Sequence, residues 1–265
     1  MSSQLEILTK KYQSSDIIQT VNHEKFFRIA ITHHSTAIEG STLSLTETQL
    51  LITQDITAKG KPMSDHLMVT DHYAALLYVL DEAKKKTPIT PEFLKHINAL
   101  VNKNTGQIRN TALGVCDDTK GDFRLGNVSA GDTYFVNYDK VLSMVDDLCK
   151  QLQQRITEVK ELDDIYNLSF DAHFYLVSIH PWFDGSPRRS RTSRLLMNYI
   201  QAYFNLPLSM VLTEDKADYI EALKESRKVE TSEPIRNFMT QQYIKTLEDE
   251  LEKFEGRNKG INFLL

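Results

Sequence analysis

Residues 179–198, which read IHPWFDGSPRRSRTSRLLMN, gather one histidine, one aspartate and four arginines around a Gly-Ser-Pro turn. Apolar residues on either side have helical spacing, so we expect one helix to end at Ile179 and another to begin after the turn. The amino terminus of a helix binds phosphate readily, because its first N–H groups lack partners and carry partial positive charge. The stretch therefore indicates either a solvated basic helix face or a place where phosphate is held.

The residue types in this stretch suit phosphoryl or nucleotidyl transfer, in which catalysis is mainly positioning and charge stabilisation. An unperturbed histidine has a pKa of about 6.5, so a residue of this type at position 180 can take a proton from a hydroxyl group at neutral pH. Asp184 can ligate magnesium, and the arginines can bind phosphate oxygens through two parallel bonds. On composition alone, a solvated arginine face with His180 capping a helix stays an equal alternative. His173, one helical stripe away, is expected to be a hydrogen-bonded core residue.

The overall composition argues against several classes of protein. The 265 residues carry a formal net charge of -5 and a pI of about 5.9, so no general basic surface for nucleic acid is expected. No stretch approaches the roughly 18 apolar residues of a membrane span, and no signal peptide is evident. Cys116 and Cys149 form neither a disulfide framework nor a zinc-ligand pattern. We predict a cytoplasmic protein that binds neither nucleic acid nor membrane.

Helical periodicity covers most of the chain. Ser44 and Glu47 have the spacing of a capping box, Thr90-Pro91 is typical of a helix start, and Gly40 of a helix end. Residues 114–137 are rich in Gly, Asp, Asn and Thr and predict a single exposed β-hairpin. The predicted fold class is therefore mainly α, with helices over residues 24–38, 44–54, 65–86, from 90 onward, 138–157, 162–179, 189–203, 216–229 and 234–254.

Two motifs in this chain resemble those of the Fic (Fic/Doc) family. Residues 179–198 are similar to the family signature H-P-F-x-D-G-N-G-R-x-x-R, and residues 35–40 (STAIEG) resemble the inhibitory-helix motif S/T-x-x-x-E-G/N of the class that carries this helix at its amino-terminal side. Residues 121–136 resemble the flap that docks the family's protein targets. The resemblance covers about residues 20–250. It implies a Fic-type helical bundle with a small β-hairpin flap, divided into an amino-terminal helical region 1–85, a Fic core domain 86–255 and a tail 256–265.

The resemblance also implies an activity, the transfer of AMP from ATP and Mg²⁺ to a hydroxyl side chain of a protein target or of the protein itself. His180 would be the general base and Asp184 the metal ligand. Glu39 would form a salt bridge with the second motif arginine and occupy the place of the γ-phosphate. The nucleotide would contact Gly185, Ser186, Arg188, Arg191 and Arg194, and the flap residues would be Phe123, Arg124, Asn127 and Val128. A homodimer is compatible with this class.

The phosphate loop departs from the family pattern. An alignment without gaps places Gly185-Ser186-Pro187 on Gly-Asn-Gly and makes Arg188 and Arg191 the motif arginines. Proline has no N–H to offer, so the anion site would lose a donor. A three-residue insertion makes Arg191 and Arg194 the pair, and we prefer it because it keeps the apolar face around Leu195 in phase. The alternative function is a degenerate Fic fold that binds a nucleotide or a protein, or that uses another phosphate donor.

Overall fold

The computed structural model describes residues 3–19, 22–131, 133–183 and 190–261, and within these ranges the protein is a helical bundle with two small hairpins. This confirms the predicted mainly α class. The helices of the described residues are α1 (Gln4–Ser14), α2 (His23–Ile38), α3 (Leu45–Gln54), α4 (Met63–Lys85), α5 (Pro91–Val101), α6 (Tyr138–Glu158), α7 (Leu162–Ile179), α8 (Ser190–Tyr203), α9 (Lys216–Lys228) and α10 (Glu233–Ile261). The strands are β1 (Ile108–Thr111), β2 (Gly114–Asp117), β3 (Ser129–Ala130) and β4 (Thr133–Tyr134).

Local capping explains where several helices begin and end. Ser44 accepts from Glu47 N while the Glu47 carboxylate accepts from Ser44 N, which is the predicted capping box of α3. Thr90 accepts from Phe93 N at 3.1 Å and begins α5, as predicted. Gly40 ends the turn after α2 with φ +98°, a conformation that glycine adopts without strain. The chain therefore leaves α2 directly after Glu39.

The helices α7 and α8 pack against each other and lie between two hydrophobic clusters. The first cluster joins them to α4, α5 and α6, and the second joins them to α1, α9 and α10. Asp171 of α7 is 1% exposed and accepts hydrogen bonds from Arg155, Ser232 and Arg236. Separating a buried carboxylate from its partners costs several kcal/mol, so these contacts hold α7 in place against α6 and α10.

The segment between α5 and α6 differs from the prediction, because the described residues contain two hairpins where the sequence predicts one. Strand β1 pairs with β2 in antiparallel register, with Arg109 opposite Cys116, and β3 pairs with β4. The residues around Phe123, within the predicted hairpin region, form an irregular connection between the two hairpins. Strand β1 and the helix α1 were not predicted. Strand β1 has only four residues, and the helix α1 packs mainly on α10, which is distant in sequence.

Candidate functional site

His180 lies at the end of α7 in a left-handed backbone conformation, with φ 54° and ψ 61°. A non-glycine residue there is uncommon and needs support from its surroundings. The support comes from Arg124, whose N–H donates to Pro181 O at 2.9 Å and whose Nε donates to His180 O at 2.8 Å. His180 is 7% exposed, so it is a buried residue.

Arg124, predicted as a residue of the docking flap, is 1% exposed. Besides His180 O, its guanidinium donates to Gly126 O at 2.8 Å and to Val136 O. A side chain buried in this way cannot contact a protein target directly. Instead it joins the flap to the turn that carries His180.

The other predicted flap residues hold the flap in place or face outward. The ring of Phe123 packs on Trp182, with 5.8 Å between the centroids. The exposed Asn127 accepts from Tyr138 N at 3.0 Å through Oδ1, and the half-buried Val128 accepts from Phe135 N at 3.3 Å through its carbonyl. Phe123 therefore packs the flap on Trp182, and Asn127 joins it to the start of α6.

Arg194 and Glu39 form a buried ion pair, with 2.9 Å between Nη2 and Oε1 and with side chains that are 4% and 6% exposed. Two further acceptors come from Ser35, whose Oγ and carbonyl oxygen lie 2.9 Å and 2.7 Å from Nε and Nη2 of Arg194. The Ser190 hydroxyl bridges the pair, since it donates to Glu39 and accepts from Arg194 Nη1. Under the insertion alignment Arg194 is the second motif arginine, and among the described residues it is the arginine that forms an ion pair with Glu39.

Arg191 points to a different part of the molecule although it lies only one helical turn before Arg194. Its side chain is fully buried, and it donates to Val101 O at 3.2 Å and to Asn102 Oδ1 at 3.4 Å. These acceptors lie at the carboxyl end of α5, where a cation is favoured by the helix dipole. In this conformation Arg191 therefore joins α8 to α5.

Two buried histidines next to these arginines stay uncharged. Burial, followed by the charges of Arg191 and Arg194, lowers the pKa of His72 well below its ordinary value. Burial, followed by Arg194 and Arg227, lowers the pKa of His173 to about 3. His173 Nε2 lies 2.8 Å from Tyr219 OH, as expected for a core histidine. At neutral pH neither imidazole therefore adds a positive charge near Arg194.

Four of the predicted site residues, Asp184, Gly185, Ser186 and Arg188, lie outside the described residues. Within the described ranges, no three His, Cys, Asp or Glu side chains converge in a way that could hold a metal ion. Asp184, the predicted magnesium ligand, is one of the four residues outside these ranges. No helix of the described part of the chain combines the length and apolarity that crossing a membrane requires.

Two functional candidates were missed by sequence reasoning. Ser190 lies in the glycine position before the first motif arginine under the insertion alignment, so the departure from the family pattern was itself a signal. Phe135, whose ring lies on that of His180, follows β4 and has no local signal, because the contact depends on how the flap folds back.

The fold and this site define a helical protein in which a histidine-bearing turn lies under a β-hairpin flap and next to an arginine held by a carboxylate. Comparison with known proteins identifies the family: the model of the Fic/DOC family matches residues 88–201. Residues 88–201 of this chain are a Fic/DOC domain, as the motifs predict.

Individual relatives agree with this assignment. The chain is 25% identical to the protein adenylyltransferase Fic of Drosophila persimilis over 229 residues. This alignment covers 84% of the chain and 41% of the relative. It is 27% identical over 212 residues to the protein adenylyltransferase fic-1 of Caenorhabditis elegans, covering 80% and 38%. The chain spans about two fifths of the length of these curated relatives.

Solved structures share the fold at lower sequence identity. A Fic domain containing signaling protein from Bacteroides thetaiotaomicron superposes with a TM-score of 0.76 at 18% identity, over 96% of this chain and 98% of that one. A fragment of Fic-1 from C. elegans also gives a TM-score of 0.76, at 20% identity, over 96% and 71%. At these identities the likeness supports the fold alone.

Proposed function

We propose that this protein is a protein adenylyltransferase that transfers AMP from ATP to a hydroxyl side chain of a protein, and that Glu39 restrains this activity. The observation that carries the proposal is the buried ion pair between Glu39 and Arg194 at 2.9 Å, on the helix that follows the His180 turn. Relatives named protein adenylyltransferase support the same class of reaction.

In the proposed reaction His180 accepts the proton of the target hydroxyl as that oxygen attacks the α-phosphorus of ATP. A bond forms between the target oxygen and the α-phosphorus, while the bond from the α-phosphorus to the oxygen bridging to the β-phosphorus breaks. Pyrophosphate leaves, and the proton on His180 passes to solvent. Magnesium, held by Asp184 and the phosphates, would supply charge neutralisation during this transfer.

Restraint by Glu39 follows from electrostatics. A carboxylate at this place repels the negative phosphates of ATP and also keeps the Arg194 guanidinium engaged. ATP would bind in a productive way only to molecules in which Glu39 has left Arg194, so activity depends on the population of that state. The contacts that oppose this departure are those with Arg194 and Ser190.

The test is covalent labelling by ATP carrying its label on the α-phosphate, with Mg²⁺, read after denaturing electrophoresis. We expect weak self-labelling of the wild type, strong labelling of Glu39→Gly and none of Glu39→Gly with His180→Ala. Label that survives the loss of His180 would rule out its role as the base. Equal label in the wild type and in Glu39→Gly would rule out restraint by Glu39.

The same experiment separates the alternative function. If no variant is labelled but Glu39→Gly binds ATP more tightly than the wild type, the chain is a nucleotide-binding Fic fold without transfer activity. The proposal also includes a protein target, modification of the protein by itself, a homodimer and a cytoplasmic location. Mixing Glu39→Gly with His180→Ala protein tests modification between copies, because label on the His180→Ala chain must come from a second molecule.

A further inference from the structure

The ring of Phe135 lies on the imidazole of His180, with 3.9 Å between the centroids and 13° between the planes. Aromatic pairs in proteins usually have centroids about 4.5–7 Å apart, so this contact is close and nearly parallel. Phe135 follows directly after β4 and is thus a flap residue, although no motif pointed to it. The flap therefore reaches the proposed base through an aromatic ring.

The backbone segments that carry the two rings are tied to one side chain. Arg124 donates from Nε to the carbonyl of His180 at 2.8 Å and from Nη2 to the carbonyl of Val136, the residue after Phe135. Since Arg124 is 1% exposed, water does not compete for these bonds. The distance between the two rings is set by this bridge as well as by their own contact.

A cation supports Phe135 in addition. The guanidinium carbon of Arg227, in α9, lies 5.6 Å from the centroid of the Phe135 ring, within the range of a cation–π contact. Arg227 Nε lies 3.3 Å from Ser178 Oγ, and Ser178 is two residues before His180 in the chain. Arg227 thereby joins α7, the helix that precedes His180, to the ring that stacks on the His180 imidazole.

We propose that Phe135 is a positioning residue that fixes the plane of the His180 imidazole for proton transfer. The lone pairs of an imidazole lie in the plane of the ring. A ring stacked on one face hinders rotation about the Cβ–Cγ bond and so fixes the directions in which the ring nitrogens point. This inference rests on the proposed adenylyl transfer, because it concerns the base of that reaction.

The first experiment tests the contact without any activity. Histidine labelled with ¹³C at Cε1 gives one ring signal for each of the eight histidines, and the signal lost in His180→Ala identifies His180. The Phe135 ring current shifts this signal, so Phe135→Leu should move it and Phe135→Tyr should leave it nearly in place. Phe204→Leu is the matched control, since Phe204 contacts Tyr203 beyond the far end of α8. A His180 signal unchanged in Phe135→Leu would overturn the stack.

The second experiment measures self-labelling in the Glu39→Gly background. We expect Phe135→Leu to lower kcat by about 10- to 100-fold while the KM for ATP changes by less than about threefold, because small misplacements of a base act on the chemical step. Phe135→Tyr, which keeps the flat ring, should restore most of the rate, and Phe204→Leu should match the parent.

The outcomes separate the two proposals. A parent Glu39→Gly protein without label would overturn the proposed function and, with it, the positioning role, even if the NMR shift shows the stack. A labelled parent in which Phe135→Leu is as fast or faster would overturn positioning alone, and a faster rate would identify Phe135 as a cover that obstructs the base.

Discussion

Replacing Glu39 by glutamine should destabilise the protein by about 3 kcal/mol, because it leaves a buried arginine without its counter-charge. The change keeps the size of the side chain and an oxygen that can accept from Arg194. It removes only the negative charge, from a pair whose side chains are 4% and 6% exposed.

The magnitude follows from the surroundings of Arg194. Removing one partner of a buried ion pair typically costs about 3–5 kcal/mol. Here the guanidinium keeps three neutral acceptors, namely Ser35 Oγ, Ser35 O and Ser190 Oγ, so we expect the lower end of that range. With a urea dependence near the upper end for single domains, about 3 kcal/mol per molar, the unfolding midpoint should fall by about 1 M.

Urea unfolding followed by circular dichroism measures this change, and the chain offers a matched control. Lys11 and Glu255 form a pair at the same 2.9 Å, but their side chains are 55% and 51% exposed. An exposed pair contributes little, so Glu255→Gln should scarcely move the midpoint. If Glu39→Gln and Glu255→Gln have equal effects, burial does not strengthen the contact between Glu39 and Arg194, and the reasoning is refuted.

Two further predictions concern the bridge between Glu39 and Arg194 and a half-buried histidine of α2. Ser190→Ala removes the hydroxyl that bridges Glu39 and Arg194, and the loss of hydrogen bonds to charged groups costs about 1.5 kcal/mol or more, so self-labelling should rise about tenfold. The control Ser143→Ala loses only an exposed hydrogen bond to Lys140 O and should leave self-labelling unchanged. Equal rates of self-labelling in the two variants would contradict the bridging role of Ser190. Burial, and next the neighbouring His33, lower the pKa of His34 to about 4, below the unfolded value near ~6.5. The stability from neutral His34 is therefore complete above about pH 6.5 and is lost, by at most about 3 kcal/mol, as the pH falls toward 4. His34→Asn keeps an acceptor for Thr213 N and cannot titrate, so urea unfolding at pH 7 and 4.5 should show a smaller loss than in the wild type; equal losses would exclude His34 as the cause.

The parts of the fold that were predictable depend on contacts within one helical turn. The capping box of α3 and the start of α5 are such features, and both are confirmed. The end of α7 at Ile179 is confirmed as well, because the apolar pattern stops there and His180 takes the left-handed conformation. Strand β1 was missed because Ile108 and its neighbours are largely exposed and show no alternating apolar pattern.

The site was predictable in its residue types and less so in their roles. His180, Glu39 and Arg194 were named from motifs, and the structure brings Glu39 and Arg194 together. Arg124 was named as a docking residue, but it is a buried bridge between the flap and His180. The sequence cannot separate target docking from a buried bridge, since both roles need an arginine at position 124. They differ only in whether other parts of the fold bury its side chain.

The sequence by itself determined the helical class, the family and the chemical groups available, because helical period, caps and motif spacing are local properties of the chain. Only the tertiary structure decided which groups meet. Arg194 and Glu39 are 155 residues apart in the chain, and Arg124 and His180 are 56 apart. Such contacts form because α2, α7 and α8 pack around a common core that excludes water. A charge or donor buried there is costly unless it is paired, so its partner comes from another part of the fold.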